Sequence, residues 1–170
     1  VGDVDILVNN AGASRPSEWD APESEWLWSM ELNFHSHRRL DQAVIPGMRD
    51  RGWGRIINVT GSHEPRGVNT ATPAKAAMHM WSKALSRAVA GYGITINSLA
   101  PGRIHSEQID NLLHPTEESR AAFIERFIPA GRMGQPDELA AMVGFLASDM
   151  AGFITGVVID VDGGMSLYPY

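Results

Sequence analysis

Three apolar runs in the chain end in residues that could bind a ligand. Residues 9–12 (NNAG) close the first run, Thr60 and Ser62 follow the second, and residues 101–106 (PGRIHS) follow the third. Ligands of open α/β sheets bind outside the carboxyl ends of the strands, and glycine lets the backbone approach a ligand closely. If the runs are strands, their amides and hydroxyls predict a binding cleft where the strands end.

Lys75 lies near the start of a predicted helix, in whose first turn Pro73 is well placed. A lysine there is ordinarily a solvated surface charge, but the residue four positions earlier shares its helical face. That residue is Ala71, which can donate no proton. The flanking hydroxyls of Thr70 and Thr72 are far weaker acids than a tyrosine phenol, whose pKa is about 10. The sequence therefore shows no like-for-like acid beside Lys75.

Spacing excludes two other kinds of catalytic site. Ser62, His63 and Glu64 are adjacent, whereas the members of a hydrolytic triad meet from separate segments, and no G-x-S-x-G motif surrounds the serine. His35 and His37 are two residues apart, so they face different ways on a helix and lack the i, i+4 pairing of a zinc site. The chain has no cysteine, and we predict no metal site and no disulfide.

Composition predicts one globular domain over residues 1–170. The chain is 44% hydrophobic and 20% charged with a net charge of −6, and its length is enough for a substantial core. An acidic chain argues against nucleic-acid binding, and no apolar run is long enough to span a membrane. The lack of cysteine suits a cytoplasmic location. The chain opens at Val1, almost directly in a strand, so we expect that an N-terminal part is missing.

Apolar periodicity predicts strands that alternate with helices. Short apolar runs predict strands near residues 5–8, 55–59, 94–99 and 156–161. Helical spacing predicts helices near residues 23–51, 73–90, 114–128 and from 136 onward, with Pro46 kinking or interrupting the first of them. This alternation is typical of βαβ units, and we therefore predict an α/β fold with a doubly wound parallel sheet and helices on both faces.

These segments, followed by residues 131–136 (GRMGQP) and 161–164 (VDGG), resemble in order the motifs of the short-chain dehydrogenase/reductase family. The resemblance implies a Rossmann-like sheet, a nicotinamide cofactor (NAD or NADP) and hydride transfer to or from a small carbonyl or secondary alcohol substrate. It also implies a homodimer or homotetramer, with the helices near residues 25–50 and 73–90 at the dimer interface.

The resemblance assigns roles to individual residues. Asn33 would hold a water of the proton relay, and Lys75 would hydrogen-bond the nicotinamide ribose. A hydroxyl after the second strand would polarise the substrate carbonyl, and both Ser62 and Thr60 are candidates, with Ser62 preferred. Residues 107–128 would form the substrate lid. Cofactor contacts would come from Asn10, Ala11, Gly12, Lys75, Pro101, Gly102, Ile104 and Ser106.

The family's proton donor is a tyrosine four residues before the lysine, where this chain has Ala71. Water, His63, or a tyrosine (Tyr168 or Tyr170) of a neighbouring subunit could replace it. The alternative hypothesis is a catalytically inactive family member that keeps the fold as a binding or subunit module.

The phosphate-binding loop of the family, T-G-x-x-x-G-x-G after the first strand, has no counterpart in this chain. The residues that select NAD or NADP in the family belong to the same region. We therefore expect the chain to match the C-terminal two-thirds of the family fold. A longer parent chain, or another chain, would supply the first βαβ unit.

Overall fold

The computed structural model describes residues 3–62 and 64–168. These residues form one parallel sheet with a layer of helices on each face. The strands are hydrogen-bonded in the order β1-β2-β3-β4, and each neighbouring pair is parallel. The predicted doubly wound, Rossmann-like fold class is confirmed. The elements in chain order are β1 (Ile6–Asn9), α1 (Glu23–Met30), a π-helical turn (Glu31–His35), α2 (Ser36–Arg51), β2 (Gly54–Val59), α3 (Ala71–Val89), a 3₁₀ turn (Ala90–Tyr92), β3 (Ile94–Pro101), a second π-helical turn (Gln108–Leu113), α4 (Glu117–Phe127), α5 (Pro136–Ala147), a 3₁₀ turn (Asp149–Ala151) and β4 (Val158–Val161).

Each face of the sheet has its own layer of helices. Successive residues of a strand point to opposite faces, and both Ile56 and Ile57 of β2 are buried. Ile56 packs in a cluster with Met48 of α2 and Val89 of α3. Ile57 packs on the other face with Leu146 of α5. Because each such side chain contributes about 1.5–3 kcal/mol when fully buried, the two clusters hold the strand ends in fixed positions.

Two element boundaries differ from the periodicity. Pro46 lies inside α2 and does not end it, because Val44 and Met48 on either side of it are buried in the cluster against β2. β3 continues to Pro101, two residues beyond its apolar run, because Ala100 and Pro101 pair with β4. The second π-helical turn, at Gln108–Leu113, was not predicted.

The turns that precede β2 and β3 touch each other. Gly52 follows α2 with a φ of 71°, and Gly93 follows the 3₁₀ turn with a φ of 73°. A β-carbon on Gly93 would lie 2.2 Å from the carbonyl oxygen of Gly52, so only glycine fits. Gly54 is then paired with Ile94, and the two strands begin level with each other.

A buried polar network joins β1 and β2 to α2 and α3. Asn9 Nδ2 donates to Asp41 Oδ1 at 2.8 Å and to Asn58 Oδ1 at 2.7 Å. Trp81 Nε1 donates to Asp41 Oδ2 at 2.8 Å, and Asn58 Nδ2 donates to Ser82 Oγ at 2.9 Å. Burial raises the pKa of Asp41 to about 6, against the hydrogen bonds from Trp81 and Asn9, which lower it.

The pKa of Asp41 predicts that mild acidification stabilises the fold through this residue. The pKa is raised from 3.8 to about 6 in the folded state, so the folded protein binds the proton more tightly than the unfolded chain. The carboxylate destabilises the fold above pH 6, and this cost is relieved as the pH falls toward 4. We expect a contribution of about 1–3 kcal/mol, measured as the difference between wild type and Asp41→Asn in urea unfolding at pH 7 and pH 5. Identical pH dependence in the two proteins would contradict the assignment.

Candidate active site

The carboxyl ends of β1, β2 and β3 open into a cavity of about 1110 Å³. This volume slightly exceeds that of typical small-molecule pockets, about 300–1,000 Å³. Segments far apart in the sequence meet in its wall, as the motif positions predict. The wall includes Asn10, Gly12, Ser62, Lys75, Pro101, Gly102, Ile104 and Ser106. Ala11 and Asn33 are the two predicted site residues that lie outside this wall.

Asn33 lies behind the cavity, in the π-helical turn between α1 and α2. Its Oδ1 accepts from the backbone N–H of Ala13 at 3.1 Å, and its Nδ2 donates to the carbonyls of Ala13 at 3.0 Å and Ser29 at 3.1 Å. A β-carbon on Gly12 would lie 2.9 Å from Asn33 Oδ1. Asn33 therefore anchors the loop after β1, and its predicted role of holding a relay water stays a prediction.

His37 is buried and contacts the loop after β1, which the sequence did not reveal. Its Nε2 lies 2.7 Å from the carbonyl oxygen of Ala11. Because a carbonyl can only accept, Nε2 carries the hydrogen. Nδ1 is buried with no hydrogen-bond partner among the residues described. Burial lowers the pKa of His37, and the charge of Lys75 lowers it further. A neutral His37 thus fixes the backbone of Ala11, which lies between Asn10 and Gly12 of the cavity wall.

Lys75 is in the second turn of α3 and lines the cavity. Its Nζ has no hydrogen-bond or ion-pair partner in the described part of the chain. Opposite it lies Gly61, whose β-carbon, if present, would be 3.3 Å from that Nζ. Although part of the side chain is exposed to the cavity, burial lowers the pKa of the amine to about 8, and the charge of Arg103 also lowers it. Lys75 can therefore exchange a proton near neutral pH.

The start of α3 supplies no acid beside Lys75. Ala71 is 2% exposed and lines the cavity with a methyl group. Asn69 Oδ1 accepts from the backbone N–H groups of Ala71 at 3.0 Å and Thr72 at 2.9 Å. It also accepts from the Thr72 hydroxyl at 3.1 Å. The side chain of Thr72 is thus used to begin the helix.

The two candidate hydroxyls after β2 have different surroundings. Thr60 is buried, donates to the carbonyl of Leu99 at 2.9 Å and lies 2.6 Å from His79 Nε2. Ser62 is half-buried, and its Oγ accepts from the backbone N–H of Glu64 at 3.2 Å in a local turn. Both residues line the cavity, but the Thr60 hydroxyl is already hydrogen-bonded to Leu99 and His79. These contacts favour Ser62, whose catalytic role stays a prediction.

The remaining candidate proton donors are placed only in part. His63 and Tyr170 lie outside the described residues. Tyr168 is 64% exposed, and its backbone N–H donates to Glu64 Oε1 at 2.9 Å. In the ranges 3–62 and 64–168, no helix is long and apolar enough to cross a membrane, and no group of three acidic or histidine side chains could hold a metal ion.

Comparison with known proteins identifies the family of this chain. Residues 1–166 match a family model described as enoyl-(acyl carrier protein) reductase. The 3-oxoacyl-[acyl-carrier-protein] reductase of Haemophilus influenzae is 41% identical over 170 residues, which cover 98% of this chain and 69% of that protein. The chain belongs to the short-chain dehydrogenase/reductase family.

Solved structures agree with this family assignment. A gluconate 5-dehydrogenase from Burkholderia cenocepacia, in complex with NADP and tartrate, superposes with a TM-score of 0.90 at 37% identity, over 97% of this chain and 66% of that one. An NADPH-dependent reductase involved in bacilysin biosynthesis superposes with a TM-score of 0.91 at 29% identity, over 99% and 69%. The chain spans about two thirds of the length of its relatives. It covers between 65% and 69% of three bacterial 3-oxoacyl-[acyl-carrier-protein] reductases.

The wall of the cavity in this short-chain dehydrogenase/reductase fits the nicotinamide end of a cofactor. Lys75 presents an unpartnered donor, as ribose hydroxyls require. Gly12 presents no side chain, and Pro101 and Ile104 offer apolar surface for a ring. A β-carbon on Gly102 would lie 2.8 Å from Asp162 Cα, so this glycine is also needed where β3 meets β4.

Sequence analysis assigned no individual role to the three arginines of the cavity wall, Arg15, Arg66 and Arg103. Arg103 lies within the PGRIHS segment, which was interpreted only as a cofactor contact, and Arg66 lies in the loop between β2 and α3. Two cations at these positions were visible in the sequence. Their convergence was not, because it depends on how the loop between β2 and α3 packs against α4.

Proposed function

We propose that this chain carries the substrate-binding part of an NAD(P)-dependent oxidoreductase that interconverts a small carbonyl compound and a secondary alcohol. The unpartnered Lys75 amine, in a cavity lined by the family's motifs, is the observation that carries the proposal. The reductase and dehydrogenase names of the relatives, and the NADP in one neighbouring structure, support it. The nicotinamide, when bound, supplies or accepts the hydride at the substrate carbon.

Lys75 is the proton donor in this proposal. Reduction of a carbonyl leaves negative charge on its oxygen, and an acid in the cavity must neutralise it. With a pKa of about 8, the Lys75 ammonium is a stronger acid than a tyrosine phenol, whose pKa is about 10. Lys75 gives a proton from Nζ to the oxygen and regains it from solvent in the open cavity, while Ser62 donates a hydrogen bond to the same oxygen.

An inactive binding or subunit module remains the second candidate function. Neither Ala71, one helical turn before Lys75, nor Gly61, opposite its Nζ, carries a hydroxyl. A module of this kind would bind cofactor without turnover, so a panel of carbonyl compounds with NADH and NADPH separates the two functions.

A homo-oligomer is part of the same proposal. α2 and α3 carry Leu40, 45% exposed, and Met80, 70% exposed. The resemblance places these helices at the dimer interface, and association would remove both side chains from water.

The pH profile of turnover tests the assignment of Lys75. Carbonyl reduction needs the ammonium form, so its rate is expected to be constant below pH 8 and to fall above it. Alcohol oxidation needs the neutral amine and is expected to rise through the same pH. Cofactor binding is measured in parallel by quenching of the five tryptophans. A break near pH 10, or saturable cofactor binding without turnover of any carbonyl, would exclude Lys75 as the donor.

A further inference from the structure

The wall of the cavity has an excess of positive charge, although the chain as a whole carries a net charge of −6. Its cationic side chains are Arg15, Arg66, Lys75 and Arg103, and its acidic side chains are Glu64 and Glu107. Cations gathered in a partly buried space repel each other and favour an anionic ligand.

The acidic side chains do not neutralise this charge. Glu64 Oε1 accepts from the backbone N–H groups of Leu167 at 2.7 Å and Tyr168 at 2.9 Å. Within the described ranges, no carboxylate forms an ion pair with Lys75, Arg66 or Arg103. The three cations therefore lack a counter-charge from the part of the chain that the structure describes.

Arg103 is held in place by contacts that leave its charge unpaired. Its Nε lies 3.3 Å from His114 Nε2, to which it donates, and its guanidinium lies 4.8 Å from the ring centroid of Phe123. The two terminal nitrogens of Arg103 have no hydrogen-bond partner among the residues described. Burial lowers the pKa of Arg103, and the charge of Arg66 lowers it further.

Arg66 is fixed beside Arg103 by the same helix. Its guanidinium lies 4.4 Å from the ring centroid of Phe127 and donates to the carbonyl of Met165 at 2.9 Å. The rings of Phe123 and Phe127 in α4 are 4.9 Å apart. Two guanidinium groups thus lie against neighbouring rings of the predicted lid and line one cavity.

We propose that the substrate is a small hydroxy acid or keto acid whose carboxylate binds Arg103 and Arg66 while its reacting carbon lies near Lys75. This inference rests on the proposed function and names the substrate class of the same site. The planar fork of arginine matches a carboxylate or a phosphate. Both arginines contact α4, which the resemblance predicts to be part of the substrate lid. We therefore assign the anion to the substrate rather than to a cofactor phosphate.

The test is calorimetric binding of D-gluconate and D-glucitol to the intact chain, without cofactor. These probes differ only in a carboxylate against a primary alcohol. We expect saturable binding of gluconate, and binding of glucitol at least about tenfold weaker. Arg103→Met and Arg66→Met should each weaken gluconate binding by about ten- to hundredfold. Arg103→Lys should restore part of it, because charge remains without the fork.

Arg87→Met is the matched control, since Arg87 is exposed at the end of α3 and outside the cavity wall. It should bind gluconate as the wild type does, and circular dichroism checks the folding of every variant. The proposal is overturned if glucitol binds as tightly as gluconate or if folded Arg103→Met binds gluconate normally. It is also overturned if inorganic phosphate binds more tightly than gluconate or if NADPH displaces gluconate, because the anion site would then belong to the cofactor.

The outcomes separate this inference from the proposed function. Arginine-dependent binding of gluconate without turnover of any acid would support the carboxylate site and contradict the oxidoreductase. Turnover of neutral ketones with no preference for acids would support the oxidoreductase and contradict the carboxylate site.

Discussion

Replacing Lys75 with methionine is expected to abolish turnover and, at the same time, to stabilise the fold. Loss of a general acid lowers rates by about 10²–10⁴-fold, and the ribose also loses a donor. The pKa of Lys75 is lowered from 10.5 to about 8, so the folded state disfavours the charge. That cost is complete below pH 8 and is relieved as the pH rises toward 10.5. Because the cavity is open to solvent, we expect a gain of about 1–2 kcal/mol at pH 7.

Lys83→Met is the matched control for this substitution. Lys83 Nζ donates to the carbonyl of Gly156 at 3.0 Å, away from the cavity. Its replacement should leave turnover unchanged and should not stabilise the protein. The measurements are kcat with a carbonyl substrate and the free energy of unfolding in urea. A Lys75→Met protein that keeps wild-type kcat would contradict the role of Lys75 as proton donor. One that is no more stable than wild type would contradict the energetic cost of its buried charge.

Introducing a phenol by Ala71→Tyr is expected to raise the rate of carbonyl reduction by about ten- to hundredfold, within the range of general acid catalysis. Residue 71 lies one helical turn before Lys75, and its methyl group lines the cavity of about 1110 Å³. Ala71 itself is 2% exposed, so a tyrosine ring there has room only on the cavity side. The nearby ammonium favours the ionised phenol and makes it a better acid.

Ala71→Phe separates the effect of the hydroxyl from that of the ring, since it fills the same space without an acid. A second variant, Ala71→Tyr with Gly61→Ser, adds a hydroxyl opposite Lys75. A β-carbon at position 61 would lie 3.2 Å from Lys75 Cδ, and the flexible lysine can give way. If a folded, cofactor-binding Ala71→Tyr protein is no faster than Ala71→Phe and neither turns over a carbonyl substrate, the remaining groups are not in a catalytic arrangement. The binding-module function is then favoured.

The fold was predictable because its signals are local. Apolar runs such as residues 55–59 and glycines such as Gly52 mark where strands and helices begin and end. The extension of β3 to Pro101 was not predictable, since it depends on pairing with β4. For the same reason, Pro46 does not interrupt α2, because packing of α2 against the sheet overrides a local preference. The alternative, a kink at Pro46, stays a prediction.

The cavity was predictable only as a set of motif positions. The order of the motifs predicted that Asn10, Lys75 and Ser106 share one cleft, and all three line the cavity. Side-chain orientation was not visible in the sequence. The hydrogen bond of His37 to Ala11 and that of Arg103 to His114 join residues that are 26 and 11 positions apart. Such contacts produce no repeating pattern of residues in the sequence.

The hydrogen bond from His37 to Ala11 gives this protein a built-in spectroscopic reporter. The ring is held in a single tautomer, with its hydrogen on Nε2 and an unprotonated Nδ1. The two ring nitrogens are therefore magnetically distinct in the free protein. If a ligand displaces the Ala11 carbonyl from Nε2, we expect the ring to exchange tautomers and the two nitrogen resonances to move toward each other. A change in the loop after β1 would thus be readable from one imidazole, without a label on the ligand.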